Sequence, residues 1–518
     1  MRKFGFGLAL LLTISVVFSA RAQAPDSPDL DAIYKLKDEG FNHSQVMEIE
    51  SYLTDVYGPR LTNSPNVRAA ADWTTGKLKE WQLTNVHLEP WSFGRGWSSE
   101  RFSAQMIAPR PFILIAYPKA WTPGTNGPVT ADAVLALIEK EEDLEKFKGQ
   151  LKGKFVLTAK PQPILPRFEA DAHRYTEAEL AEMSSQTVPV PQPPDERAAT
   201  FRAQRELQQK VQKFLVDEGV AAWIETQRGD DGTVFVQQGG SRDPKDPPAP
   251  PRVALAAEHY GRIYRLLQKK IPVTLEINID NKFYDDDPNS FDILGEIPGT
   301  DKKDEVVMLG AHFDSWQAGT GATDNGAGSA VMLEAVRILK ASGLPMRRTV
   351  RIGLWTGEEQ GLLGSRAYVK EHFADPAIMK LLPEHAKLDA YYNVDNGTGK
   401  IRGVYLQGNE AVAPIFTQWM APFRNLGMTT LTIRNTGGTD HLSFNAVGLP
   451  GFQFIQDTMD YDTRTHHSNM DVYERVQEAD MKQMSVIVAS FVYMTANRPA
   501  MLPRKPLPPP QPPRPQPN

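Results

Sequence analysis

The sequence predicts a mixed α/β fold, with a mainly parallel central sheet flanked by helices and a β-rich domain inserted into it. Three observations carry this prediction. From about residue 291 onward, short apolar runs alternate with amphipathic stretches, the pattern of strand–helix–strand crossovers. Between about 107 and 283 the texture changes to short β-rich pieces separated by Pro and Gly. The chain has 518 residues, 41% hydrophobic and 23% charged, which is globular composition with length enough for more than one domain.

The elements follow in order. Arg2 and Lys3 precede an uncharged apolar run from Phe4 to Phe18, and Ala20-Arg21-Ala22 supplies small residues at cleavage-site spacing. This is the layout of a signal peptide over 1–22, and it implies a secreted or periplasmic protein. The run is shorter than the roughly 18 residues a spanning helix needs. Val46, Ile49, Leu53 and Val56 recur at helical spacing until Gly58-Pro59 stops them, and a second helix is predicted over 67–81. A strand follows at 86–91.

In the inserted region, strands are predicted at 112–116, 154–158, 221–225, 233–237 and 273–279. Pro189, Pro191, Pro193 and Pro194 form a stiff linker before a helix carrying Phe201, Leu207, Val211 and Phe214. The catalytic half then predicts strands at 306–309, 349–355, 388–394, 404–407 and 451–455, with a helix over 326–339. The division is thus a discontinuous domain over 25–106 and 284–500, an insertion over 107–283 and a tail over 501–518. The prolines from Pro503 to Pro517 predict an extended, disordered tail.

Composition also excludes function classes. There is no cysteine, so there is no disulfide framework, thiol nucleophile or Cys zinc site. An exported chain of this kind depends on a large core or a bound metal. Net charge is −6 without a basic stripe, which argues against nucleic acid as a partner. No membrane contact is expected after signal cleavage.

Candidate ligands gather where the predicted strands end. His312 and Asp314 follow the 306–309 strand, and Asp324 precedes the 326–339 helix. Glu358 and Glu359 follow the 349–355 strand, Asp395 follows 388–394, and His466-His467 lies beyond 451–455. Open α/β sheets place their sites outside the carboxyl ends of the strands. Imidazole and carboxylate ligands suit zinc. Two ions sharing a bridge need one bridging carboxylate and two terminal ligands each. Asp324 as bridge, His312 and Asp395 on one ion, and Glu359 and His467 on the other meet that need. Glu358 is left over as a general base, beside a water whose pKa zinc lowers to about 7. Asp314, two residues after His312, is placed to accept the imidazole N–H and fix its tautomer. Each piece alone reads as a surface pair, a turn or a helix cap; the whole set, each member following a strand, reads as a metal site.

The segments AHFDSW, GATDNGAGSAVMLEAVRIL, RTVRIGLWTGEEQGLLGS, YNVDNG, GGTDHLSF and HHSNMD together resemble the zinc exopeptidases of metallopeptidase family 28. The similarity runs through residues 290–480, more weakly through 40–105, and lies on the carboxypeptidase Q (plasma glutamate carboxypeptidase) branch with bacterial aminopeptidases beside it. The resemblance implies a zinc-peptidase-type fold and two zinc ions per chain on His312, Asp324, Glu359, Asp395 and His467, with Glu358 as base. It selects His467 over His466 because the family's ligand precedes Ser or Thr. His466 stands where some relatives carry a Tyr that contacts the oxyanion, and Asp440, in GGTDHLSF, falls in a loop that relatives use near the substrate. The LKGKFVL piece at 151–157 and Gly219–Ala222 resemble a protease-associated domain, with 160–210 as an addition of unknown role.

The function so implied is hydrolysis of short peptides or dipeptides, by an aminopeptidase, dipeptidase or carboxypeptidase Q-like enzyme. A homodimer is compatible with it. Two other classes share the scaffold: a glutaminyl-cyclase-like acyltransferase with one zinc, and a receptor-type protein that has lost ligands.

Overall fold

A computed structural model of the chain describes residues 26–188 and 196–511. The leader at 1–22, the prolines at 189–194 and the tail beyond 511 lie outside the described residues. Among those described, no helix is long and apolar enough to cross a membrane.

The main sheet has eight strands: β1 Thr84–Ser92, β2 Asn289–Ile297, β3 Lys302–His312, β4 Arg348–Trp355, β5 Leu388–Asn393, β6 Ile401–Tyr405, β7 Thr430–Thr432 and β8 Gly451–Gln456. Their order is β1-β2-β4-β3-β5-β8-β6-β7. The central pairs β4–β3, β3–β5 and β5–β8 are parallel, while β1–β2, β2–β4 and β8–β6 are antiparallel. The sheet is therefore mixed with a parallel centre, as the sequence predicts. Strand β2 was not anticipated.

The pleat sorts β3 and β4 onto two faces. Val307, Leu309, Ala311, Val350, Ile352 and Leu354 face one core. Against it pack the helices α1 Leu30–Asn42, α2 Val46–Ser51, α3 Pro65–Glu80, α4 Ala327–Ala341 and the later Glu478–Asn497. Met308, Trp355 and Tyr391 face the other, with Tyr368, Val369 and Phe373 around the helix Leu363–His372. This three-layer arrangement buries both sides of the parallel strands, which explains their continuous apolar runs. Helix Glu478–Asn497 is buried on almost every side, so it lacks the polar stripe that marks a helix in sequence.

The chain between β1 and β2 builds a second eight-stranded sheet. Its long ribbon pairs Gly96–Ala108 with Thr274–Tyr284 antiparallel, so this sheet takes up chain from Gly96 and not from 107. Val129–Leu135, Phe155–Leu157, Ala222–Thr226 and Arg252–Leu255 add parallel neighbours. Helix Ala257–Gln268 packs on one face, and helix Glu196–Glu218 packs Val211 and Leu215 onto Val156 and Trp223 on the other. The expected strand at 233–237 joins neither sheet; Phe235 instead bridges Ser468 in the main domain. Trp91, Phe93, Trp97, Trp121 and Trp316 share one buried cluster between the two sheets.

The tail departs from expectation. Residues 501–511 are extended but held against the main domain. Leu502 is 2% exposed within the main core. Its N–H donates to Asp389 Oδ1 at 2.7 Å, Asn409 Nδ2 donates to Pro503 O at 2.8 Å, and Arg504 donates to the carbonyls of His385 and Leu388. Proline-rich sequence rules out helix and sheet, but a strap needs neither. Leu502→Ala is expected to destabilise the protein by about 2–4 kcal/mol, as for other buried leucines. Urea unfolding measures it, and a change near zero would show that the strap contributes nothing.

Candidate metal centre

Because β3, β4, β5 and β8 run parallel at the sheet centre, their carboxyl ends share one edge. His312 is the last residue of β3, Glu358 and Glu359 lie in the turn after β4, and Asp395 is two residues past β5. His467 arrives from the loop after β8, and Asp324 from the loop between β3 and α4.

Two overlapping sets of donors close about one carboxylate: His312, Asp324 and Glu359, and Asp324, His466 and His467, each set offering ligand atoms within 4.8 Å of one another. Asp324 Oδ1 lies 3.2 Å and Asp395 Oδ1 3.3 Å from His312 Nε2. Asp324 Oδ2 lies 3.2 Å from His467 Nε2, which is 2.9 Å from Glu359 Oε2. Donors bound to one ion at about 2.0–2.2 Å stand roughly 3 Å from each other, and His312 Nε2 and His467 Nε2 each keep that spacing to two carboxylate oxygens. Asp324 Oδ2 and Glu359 Oε1 are buried without a hydrogen-bond partner. Unpartnered buried carboxylates are costly, and cations between them would remove that cost. The donor set fits divalent cations.

The electrostatics agree. Burial pushes Glu358 and Glu359 well above the usual carboxylate range, and neighbouring acids add to it. Asp324 is the exception: against its burial, the His312 hydrogen bond and the His467 and His466 charges hold it low. Burial opposes charge on His312, yet Asp395 and Glu358 raise it well above the ordinary histidine value. The pocket is acidic and short of positive charge.

The Asp324 loop is fixed from several sides. Asp471 Oδ1 accepts from Thr323 N at 2.5 Å, and Asn325 Nδ2 donates to Val394 O at 2.9 Å, tying the loop to the end of β5. Gly321 has φ +71°, and a Cβ there would fall 2.4 Å from Ser315 Oγ. Buried Arg60 donates to the carbonyls of Leu53, Phe313, Thr320 and Gly321, pinning both ends of the 313–321 segment to the chain after α2.

One predicted contact differs. The acceptor nearest His312 Nδ1 is the carbonyl of Asp314 at 2.9 Å, while the Asp314 carboxylate is 3.7 Å away. That carboxylate instead accepts from Thr62 Oγ1 at 2.7 Å and from the Glu358 backbone N–H at 3.2 Å, so it sets the Glu358 turn. Asp440 is fully buried. Burial pushes it up to about 7 against the pull of His312. His466 sits at the rim with Nε2 3.8 Å from Asp324 Oδ2, and its ring lies 4.7 Å from that of Tyr461.

Two residues at the site escaped the sequence reading. Tyr461 lies beside the ligands: burial, then Asp324, Asp395 and Glu359, push its phenol well above the ordinary value. Gln237, from the inserted chain, places Nε2 2.8 Å from His467 Nδ1. Tyr461 shares a loop with His467, but no spacing rule marks it. Gln237 is distant in sequence and carries no signal at all.

Comparison with known proteins places these residues in context. Residues 292–492 match Peptidase family M28. The chain is 26% identical over 474 residues to Carboxypeptidase Q of Pongo abelii, covering 91% of this chain and 90% of that protein. It is 28% identical to Aminopeptidase YwaD of Bacillus subtilis over 38% of this chain and 42% of that one. Among solved structures, a Peptidase M28 precursor from Shewanella amazonensis superposes with a TM-score of 0.65 at 24% identity, over 92% of this chain and 98% of the other. BSAP, a zinc aminopeptidase from Bacillus subtilis, gives a TM-score of 0.56 at 19% identity, over 88% and 95%.

Proposed function

We infer that this chain, whose residues 292–492 form a domain of peptidase family M28, is an exported di-zinc exopeptidase that hydrolyses short peptides. The observation that carries the reading is the pairing of His312 with Asp395 and of His467 with Glu359 about the two oxygens of Asp324. Similarity to Carboxypeptidase Q and to zinc aminopeptidases supports the same chemistry. The leader read at 1–22 supports export, and the sheet between β1 and β2 is read as the protease-associated-like domain.

The five side chains would hold the two ions. Bound there, zinc supplies Lewis acidity toward the scissile carbonyl and lowers the pKa of the attacking water. Glu358 takes that water's proton and returns it to the leaving amine. Its burial beside His312, Asp395 and Asp440 suits a carboxyl that must both gain and lose a proton. Asp314 holds the Glu358 backbone in place. The Tyr461 phenol, with His466 at the rim, is the donor aimed at the developing oxyanion.

Contacts between the inserted chain and the loop after β8 support a restriction to short substrates. The inserted chain crosses the 457–469 loop at two places: Asp171 pairs with Arg464 and His173 bridges Met459, while Phe235 bridges Ser468. On this reading, chain on both sides of that loop would hinder a long polypeptide. Metal-quantified protein assayed on free, N-blocked and C-blocked dipeptides tests the reading. Cleavage of the free forms and its loss on blocking one terminus are expected, and the terminus that matters separates aminopeptidase from carboxypeptidase. Equal cleavage of both blocked forms, or of internal bonds in long peptides, would contradict an exopeptidase.

A further inference from the structure

His467 holds a backbone conformation that side chains seldom adopt, with φ +62°. Such a residue keeps its place only when its surroundings enforce it. Here several of the contacts around it come from the inserted chain. Val236 N donates to His467 O at 2.8 Å, and Asn469 N donates to Val234 O at 3.1 Å. Val234 N donates to Asn469 Oδ1 at 2.7 Å, and Phe235 bridges Ser468 antiparallel. Val234, Phe235 and Val236 are buried and His467 and Asn469 half-buried, so these backbone bonds are partly shielded from water. One residue on, Gln237 reaches His467 Nδ1, while Nε2 of the same ring faces Asp324 and Glu359. The Trp316 ring meets the imidazole edge-on at 6.2 Å, and Trp121 of the inserted chain stands behind Trp316 at 6.2 Å.

We propose that the inserted chain is a component of the metal centre, with residues 234–237 holding His467 and Gln237 acting as the positioning residue that leaves its Nε2 free to ligate. This rests on the di-zinc reading above. An imidazole that ligates through Nε2 carries its proton on Nδ1, and the partner at Nδ1 sets both the tautomer and the rotation of the ring. A carboxamide has a donor end and an acceptor end of the same shape, so a turn about its last side-chain bond presents Oε1 to that proton. Being neutral, glutamine does this without adding charge to an acidic pocket. The insertion thereby sets the geometry of the ion held by Glu359 and His467, and leaves the one held by His312 and Asp395 to the main domain.

Two variants test this. Gln237→Leu keeps the bulk and removes the acceptor, and Gln237→Glu restores it. Metal-free protein is titrated with zinc in competition with a chromogenic chelator, and its thermal unfolding is followed without metal. Wild type is expected to take up two ions. In Gln237→Leu one of the two should bind about 10–100-fold more weakly and the other within about twofold of wild type. Gln237→Glu should hold both at least as tightly as wild type, and the metal-free unfolding temperature should be the same for all three. Unchanged binding of both ions by Gln237→Leu, equal weakening of both, or failure of Gln237→Glu to restore the weakened site overturns the inference. A wild type that binds one ion or none defeats the di-zinc reading itself, and the inference falls with it.

Discussion

Replacing Glu358 with glutamine is expected to lower kcat by a factor of about 10²–10⁴, the range that positioned acid–base groups contribute, while metal content stays at the wild-type level. The reason lies in the division of labour between adjacent residues. Glu359 points an oxygen to within 2.9 Å of His467 Nε2, whereas Glu358 is buried beside His312, Asp395 and Asp440 without belonging to either ligand pair. The amide keeps the volume and leaves the Asp314 bond to the Glu358 backbone intact, so the fold and the ions are retained. On the proposed mechanism, what it removes is the ability to carry a proton from water to the leaving amine. Steady-state kinetics on a free dipeptide, with zinc quantified on the same sample, measures both. Full activity would remove Glu358 from the mechanism, and loss of zinc would make it a ligand.

Asp324→Asn should have the larger effect on the centre as a whole. Both oxygens of Asp324 are committed, Oδ1 toward His312 and Oδ2 toward His467, each at 3.2 Å. An asparagine offers one neutral oxygen and an N–H₂ end that repels a cation. Metal content should fall from two ions to at most one. Lewis-acid stabilisation is worth several kcal/mol, so activity should fall on the order of 10³-fold. Stability should respond in opposite directions with and without zinc. Without metal, the variant has one buried carboxylate fewer and should unfold no earlier than wild type. With zinc in excess, wild type gains stability by mass action while the variant gains less. Thermal unfolding in chelator and in zinc checks this pair of signs. A variant destabilised equally in both conditions would mean that Asp324 serves the fold and not the ions.

Much of this site was legible because its residues obey a local rule. Each predicted ligand follows a short apolar strand, and parallel strands end on one edge. The strands at 306–309, 349–355, 388–394 and 451–455 therefore carried His312, Glu358, Glu359, Asp395 and His467 to the same place. Asp314 shows the limit of spacing: two residues from His312 is near enough for contact, but the strand end turns its carbonyl and not its carboxylate toward Nδ1. The β-rich piece Thr233–Gln237 pairs with the loop 467–469 and not with a sheet. Nothing local specifies such a pairing, so Gln237 stayed hidden. The tail misled for a related reason. Proline content speaks against regular structure, but Leu502 needs only a groove in the main core to be buried.

The central claim is that the five side chains grip two divalent cations across Asp324. Anomalous diffraction at the zinc edge from crystals grown with zinc tests it most directly. Two peaks about 3.5–4 Å apart are expected, one near His312 and Asp395, the other near Glu359 and His467, with Asp324 between them. A single peak, or zinc bound away from Asp324, would contradict the account.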